Sequence, residues 1–183
     1  TSNIKHDLII PIAYKCWQFI NNKKIDTVTL PNHNDGQSII FIPSQNRLLS
    51  FGGSKYNNNN NSIYNVNDIF SCSLDTDTKH QCDKIGVLPK CQENLQLLLT
   101  SDEKYIIMLG GYCHASSFGY IKDIYVLNLE TMKIGTSEIM IPSMDGLISG
   151  CIVTNKEKSN IIINAYCRHK IMSEIPVDVI NII

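Results

Sequence analysis

Residues 47–53 read RLLSFGG, and residues 105–111, 58 positions further on, read YIIMLGG. An apolar run ending in paired glycines is thus used twice, and a period in a chain fixes its architecture before any single residue is interpreted. Leu30-Pro31 precedes the first copy and Leu88-Pro89 the second, each proline 21 residues ahead of the first glycine of its pair. Behind the glycines come Asn67-Asp68-Ile69-Phe70 and Lys122-Asp123-Ile124-Tyr125, and six residues past each Asp stands a leucine, Leu74 or Leu129. Four landmarks at matching offsets define a repeat. A third copy opens on Ile141-Pro142 and, 22 residues later, sets Asn164-Ala165-Tyr166-Cys167 where the second has Gly110-Gly111-Tyr112-Cys113. Upstream, residues 16–30 end on Leu30-Pro31 as the tail of a preceding unit would.

Each copy divides into short strands. Apolar residues 95–100 and 105–109 flank the polar Ser101-Asp102-Glu103-Lys104, a pattern that predicts a tight hairpin. Residues 38–42 with 47–51, and 147–154 with 161–163, repeat it. The second strand of each hairpin is apolar without alternation, so both of its faces are expected to be buried. Third strands are expected at 68–74 and 123–129, and a fourth leads to each Leu/Ile-Pro pair. Four antiparallel strands per 53–58 residues is the size of a propeller blade. The helical periodicity that a barrel or doubly wound fold requires between strands is absent.

The order apolar strand, Gly-Gly, variable loop, Tyr, then Asn/Lys-Asp and a further strand resembles the kelch repeat. It is carried by Gly52, Gly53, Tyr64, Asn67 and Asp68 in one copy and by Gly110, Gly111, Tyr120, Lys122 and Asp123 in the next. The resemblance covers about residues 14–167. It departs from the family in its third copy, which lacks the glycines, and in the fourth strand, where Lys79-His80 and Met132-Lys133 stand in place of the family's Trp. The resemblance implies an all-β, kelch-like β-propeller fragment of about three four-stranded antiparallel blades. The end of a preceding blade falls at 1–31, blades at 32–89 and 90–142, and a partial, divergent blade at 143–172, with further blades of a longer parent chain completing the ring. It also implies a packing role for Tyr64 and Tyr120. Pro176, Asp178 and the spacing of Ile175, Val179 and Ile182 predict the start of a helix or linker at 173–183. The Ile-, Asn- and Lys-rich composition is similar to that of proteins from AT-rich protist genomes, a matter of coding and not of chemistry.

Composition narrows the function. The chain has 183 residues, 43% of them hydrophobic, with mean hydropathy near zero, which suits a globular core. A net charge of −1 and only two arginines, Arg47 and Arg168, supply no basic field for nucleic acid or anionic membrane. No run approaches the roughly 18 apolar residues of a membrane span. Seven cysteines, odd in number and without a CxxC, are expected as reduced thiols in a cytoplasmic protein. Within that reading the glycosylation sequon Asn60-Asn61-Ser62, part of the low-complexity run at 57–61, stays unused.

The long loops after the glycines carry the candidate binding residues. Tyr56 in one copy and Tyr112, His114 and Phe118 in the next are expected at a loop rim, where Tyr-rich loops on a rigid scaffold suit protein contact. No GxSxG, HExxH, P-loop or dinucleotide fingerprint occurs, and the five histidines show no ligand spacing. The expected function is therefore a non-catalytic interaction scaffold, with no catalytic residue, no cofactor and no metal, that presents its loops to a protein partner. The alternative is a propeller-type metalloenzyme related to galactose oxidases. It would draw on Tyr112, Cys113 and His114, echoed by Cys167 and His169, although neighbours on a strand point to opposite faces.

Overall fold

The computed structural model describes residues 8–12, 15–20, 23–30, 35–59, 61–74, 82–114, 119–141, 148–154, 159–165 and 171–176. The chain divides into two compact units, Thr1–Glu93 and Asn94–Ile183, each made of antiparallel strands.

The first unit begins with β1 (Leu8–Ile12), β2 (Lys15–Ile20) and β3 (Lys23–Thr29), paired in that order. β4 (Ser38–Ile42) and β5 (Arg47–Phe51) form the hairpin expected there. Its turn is the 3-10 segment Pro43–Gln45, closed by Asn46, which adopts the left-handed conformation (φ 45°) that asparagine tolerates. β6 (Ser54–Asn57) and β7 (Ser62–Asn65) make a separate two-stranded arm, after which β8 (Asp68–Ser73) and β9 (Cys82–Val87) complete a sheet of order β4-β5-β8-β9. Leu48, Leu49, Ser50 and Phe51 are buried in succession, so β5 is covered on both faces. Each such Leu or Phe contributes about 1.5–3 kcal/mol of burial. Leu30, just past β3, packs with Leu48, Cys72 and Leu74, and Ile39, Phe41 and Cys82 close around them. β9 is one of the sheet's two edge strands, and it exposes Asp83 and Lys84 to water, a common protection against unwanted strand pairing.

The second unit repeats the plan. β10 (Gln96–Leu99) and β11 (Tyr105–Leu109) form the hairpin, and β12 (Tyr112–Cys113) and β13 (Gly119–Tyr120) the arm. β14 (Asp123–Asn128) and β15 (Ile134–Met140) complete a sheet of order β10-β11-β14-β15. The β10–β11 turn is tied by Thr100: its hydroxyl lies 2.7 Å from the Asp102 carboxylate, and it accepts the Tyr105 N–H at 3.1 Å. Chiefly through that hydroxyl, the Asp102 carboxyl is held below its ordinary range. β16 (Ile148–Thr154), β17 (Ser159–Ala165) and β18 (Ile171–Pro176) follow as a three-stranded sheet, with β16 adjoining β10.

The repeat is visible in single hydrogen bonds. Leu74 N–H donates to Asn46 O at 3.0 Å, and Leu129 N–H to Lys104 O at 2.8 Å. Leu88 N–H donates to Asn67 O at 2.7 Å, and Ile141 N–H to Lys122 O at 2.8 Å. The leucines and Leu/Ile-Pro pairs of the sequence therefore recur because each ends a strand by the same backbone contact. By these landmarks β3 holds the place of a fourth strand, and β16, β17 and β18 the places of the first three.

The C-terminal expectation needs correction. Residues 171–176 extend as β18, with Ile161 facing Ile175 and Asn160 facing Pro176, where a helix was expected to start at 173. Pro176 ends that strand, a position where its missing N–H breaks no further ladder bond. The remainder of the expected helix, 177–183, lies outside the described residues. Among the described residues no helix is long and apolar enough to cross a membrane.

Candidate functional site

Each arm leaves its sheet through the paired glycines. Gly52 and Gly110 have φ of 59° and 64°, Gly53 and Gly111 of 102° and 94°, conformations that side-chain-bearing residues rarely adopt. At Gly52 there is also no room: an added Cβ would sit 2.1 Å from the carbonyl oxygen of Gln92 and 3.3 Å from Leu88 Cδ1. That same oxygen accepts the Gly53 N–H at 2.8 Å. The other side of the turn is closed alike in both units, by Val66 N–H to Gly53 O at 2.8 Å and Ile121 N–H to Gly111 O at 2.9 Å. The glycines thus set the direction in which β6–β7 and β12–β13 project.

The arms carry the aromatic residues. On β6–β7, Tyr56 is 58% exposed, Ile63 50% and Tyr64 49%. Tyr56 and Ile63 are directly paired and so share a face, while Tyr64 is paired with Lys55 on the other. The Tyr56 hydroxyl lies 3.2 Å from Asn61 Oδ1, to which it can donate across the hairpin. On β12–β13, Tyr112 is paired with Tyr120, and their rings meet edge-to-face at 5.1 Å. His114 meets Tyr112 in the same manner at 4.9 Å, giving three rings in one cluster. Phe118 lies outside the described residues. Tyr64 and Tyr120 are 49% and 38% exposed, and Tyr120 packs against Tyr112 through their ring contact. Each sits on a two-stranded arm separate from the four-stranded sheet.

The repeat acids act locally. Asp68 holds Lys84 at 2.7 Å across β8 and β9. Asp123 accepts the Tyr125 hydroxyl at 3.0 Å. Burial, then that hydrogen bond and the carboxylate's charge, raise the Tyr125 phenol well above its ordinary pKa. Cys113 is buried and outside the disulfide, whereas His114 beside it is exposed, so the two donors diverge. Cys167 and His169 lie outside the described residues. Among those described, no three of His, Cys, Asp and Glu gather as a metal would require.

The cysteine expectation is overturned at one point. Cys72 and Cys82 form a disulfide between facing positions of β8 and β9, with Cα atoms 4.1 Å apart. An antiparallel pair brings facing residues within reach of such a bond wherever both are Cys. Two further features went unread in the sequence: this bond and the role of buried Gln92, whose backbone carbonyl binds the glycine turn.

No protein-family model and no curated protein sequence matches the chain. Solved structures do. A fungal alcohol oxidase of the AA5 family, in complex with copper, aligns with a TM-score of 0.61 at 9% identity over 84% of this chain and 32% of its own. YjhT aligns with a TM-score of 0.60 at 12% identity over 90% of this chain and 59% of its own. The fold is β-propeller-like. The two four-stranded sheets are its blades, and the arms are insertions between the second and third strands of each blade. The chain spans less than two thirds of either propeller structure. Identities this low relate folds and transfer no chemistry.

Proposed function

We propose that this propeller-like segment is a kelch-like, non-catalytic interaction scaffold, part of a larger cytoplasmic protein, and that its aromatic arms contact a protein partner. One observation carries the reading: Tyr112, His114 and Tyr120 meet edge-to-face on and beside an arm that follows the glycine turn of a four-stranded sheet. Rings fixed against one another lose little conformational freedom on binding, and aromatic anchors dominate protein interfaces. The β6–β7 arm offers a similar surface in Tyr56 and Ile63. Nucleic acid and membranes are not the proposed partners, because the chain's net charge of −1 lacks a basic field.

The test replaces Tyr112, His114 and Tyr120 together with Ala in the full parent protein. A partner recovered with the parent and then purified should bind the variant at least about tenfold more weakly, as loss of an aromatic hot spot does. The melting temperature should be nearly unchanged. Unaltered affinity would reject the arm as the contact surface.

The alternative reading is a propeller-type metalloenzyme, for which a shared fold with a copper-bound oxidase is no support in itself. It requires Cys113 or His114 to meet donors from elsewhere in the parent. Stoichiometric copper or zinc in the purified parent, lost on Cys113→Ser, would put this reading in place of the scaffold.

A further inference from the structure

The two blades solve one problem in different ways. Where β14 gives way to β15, the connection 129–133 is a short turn bound to Asn128. The Asn128 side-chain oxygen accepts the N–H groups of Glu130 and Thr131 at 2.9 Å each, and its carbonyl accepts that of Met132 at 2.8 Å. The facing residues at the end of the ladder are Leu127 and Ile134, an apolar pair. In the first unit the connection 74–81 is longer, and the facing residues at the same place are Cys72 and Cys82, joined by the disulfide. The bond therefore stands where the second blade has an apolar pair and a tight turn.

Its surroundings are asymmetric. Cys72 is fully buried beside Leu30, Leu48 and Leu74, while Cys82 is half-buried at the start of the edge strand. β9 has a single hydrogen-bonded neighbour, β8, so its attachment depends on that ladder and on this bond. An edge strand of this kind is the part of a sheet that opens most readily.

We propose that Cys72–Cys82 is a reversible redox latch that fixes the outer strand of the first blade, leaving the second blade indifferent to redox state. This rests on the two-blade comparison and not on the identity of any partner. A thiolate of a cellular dithiol attacks the sulfur of Cys82, the less buried of the two cysteines, the Cys72–Cys82 bond breaks, and Cys72 leaves as thiolate and takes a proton. The second thiol of the reductant then displaces Cys82 from the mixed disulfide. Two protein thiols and one oxidised reductant result, and oxidation by a disulfide such as oxidised glutathione runs the reverse course. A reversible bridge of this type is the kind a cytoplasmic protein retains.

The experiment is amide hydrogen exchange on the intact protein, equilibrated with oxidised glutathione or with dithiothreitol, with thiols counted by alkylation and mass spectrometry. Reduction should speed exchange in β8–β9 by about tenfold or more, since releasing a loop closure of this length restores that much freedom, and leave β14–β15 unchanged. Cys72→Leu with Cys82→Ile, which installs the second blade's apolar pair, should make β9 exchange slow and insensitive to reductant. Alkylation of both cysteines after oxidised-glutathione treatment would overturn the proposal, as would β9 exchange in the natural protein that ignores dithiothreitol. If the double variant does not fold, the comparison of the two redox states of the natural protein still decides.

Discussion

Gly52→Ala tests the turn from which the first arm projects. The new Cβ would lie 2.1 Å from the Gln92 carbonyl oxygen, where ordinary contact begins near 3.4 Å, and the obstacle is backbone that cannot rotate aside. Three costs combine. Holding an L-residue at the φ of 59° costs about 1–2 kcal/mol. Forcing two buried backbone segments apart costs about 1–3 kcal/mol. Weakening the Gly53–Gln92 hydrogen bond costs about 1 kcal/mol more. The expected loss is about 3–6 kcal/mol in denaturant-induced unfolding, a large share of the stability of a typical domain. Gly119 supplies the control. Its φ is 58°, but nothing lies within 4 Å of the position a Cβ would take. Gly119→Ala should therefore lose only the conformational cost of about 1–2 kcal/mol. The difference between the two variants isolates the clash. Equal losses, or a Gly52→Ala protein within about 1 kcal/mol of the parent, would refute the reasoning.

Further outcomes follow from the core and from Tyr125. Leu49→Ala, at a fully buried position of β5, should cost about 2–5 kcal/mol, while Val87→Ala on the half-exposed edge strand should cost under about 1 kcal/mol, both read by chemical denaturation. Because the folded protein keeps Tyr125 protonated above the pKa of the unfolded chain, its stabilising effect is full below about pH 10 and declines as pH rises beyond that. Tyr125→Phe should flatten this alkaline decline in unfolding midpoints measured from pH 8 to 11, and an unchanged slope would show that the phenol is not responsible.

Much of the blade was legible because its signals are local. RLLSF and YIIML announce strands covered on both faces, and polar turns of a few residues fix their hairpin partners without knowledge of the rest of the chain. The Leu/Ile-Pro pairs were legible as punctuation, though their physical cause, a backbone bond to Asn67 or Lys122, appears only in three dimensions. Other features depended on what the chain packs against. Gln92 serves through its carbonyl, so its residue type carries no sign of the role. Tyr64 and Tyr120 resemble packing residues in a pattern, and their partial exposure on the arms is visible only in three dimensions. The Cys72–Cys82 bond required the register of β8 against β9, which a bulge near Ile69 shifts. Of the residues Ile175, Val179 and Ile182, whose spacing a helix would use, Ile175 lies in the segment that the neighbouring β17 claims as a strand.

The central claim is that one blade plan is used twice, with its second strand innermost in the packing and its fourth at the edge. Residue-resolved amide exchange of the oxidised protein under native conditions measures this directly. Within each unit, the slowest amides should be those of β5 and β11, followed by β8 and β14, with β9, β15 and both arms exchanging fastest. Exchange in β5 or β11 as fast as in the arms, or an order of protection that differs between the two units, would contradict it.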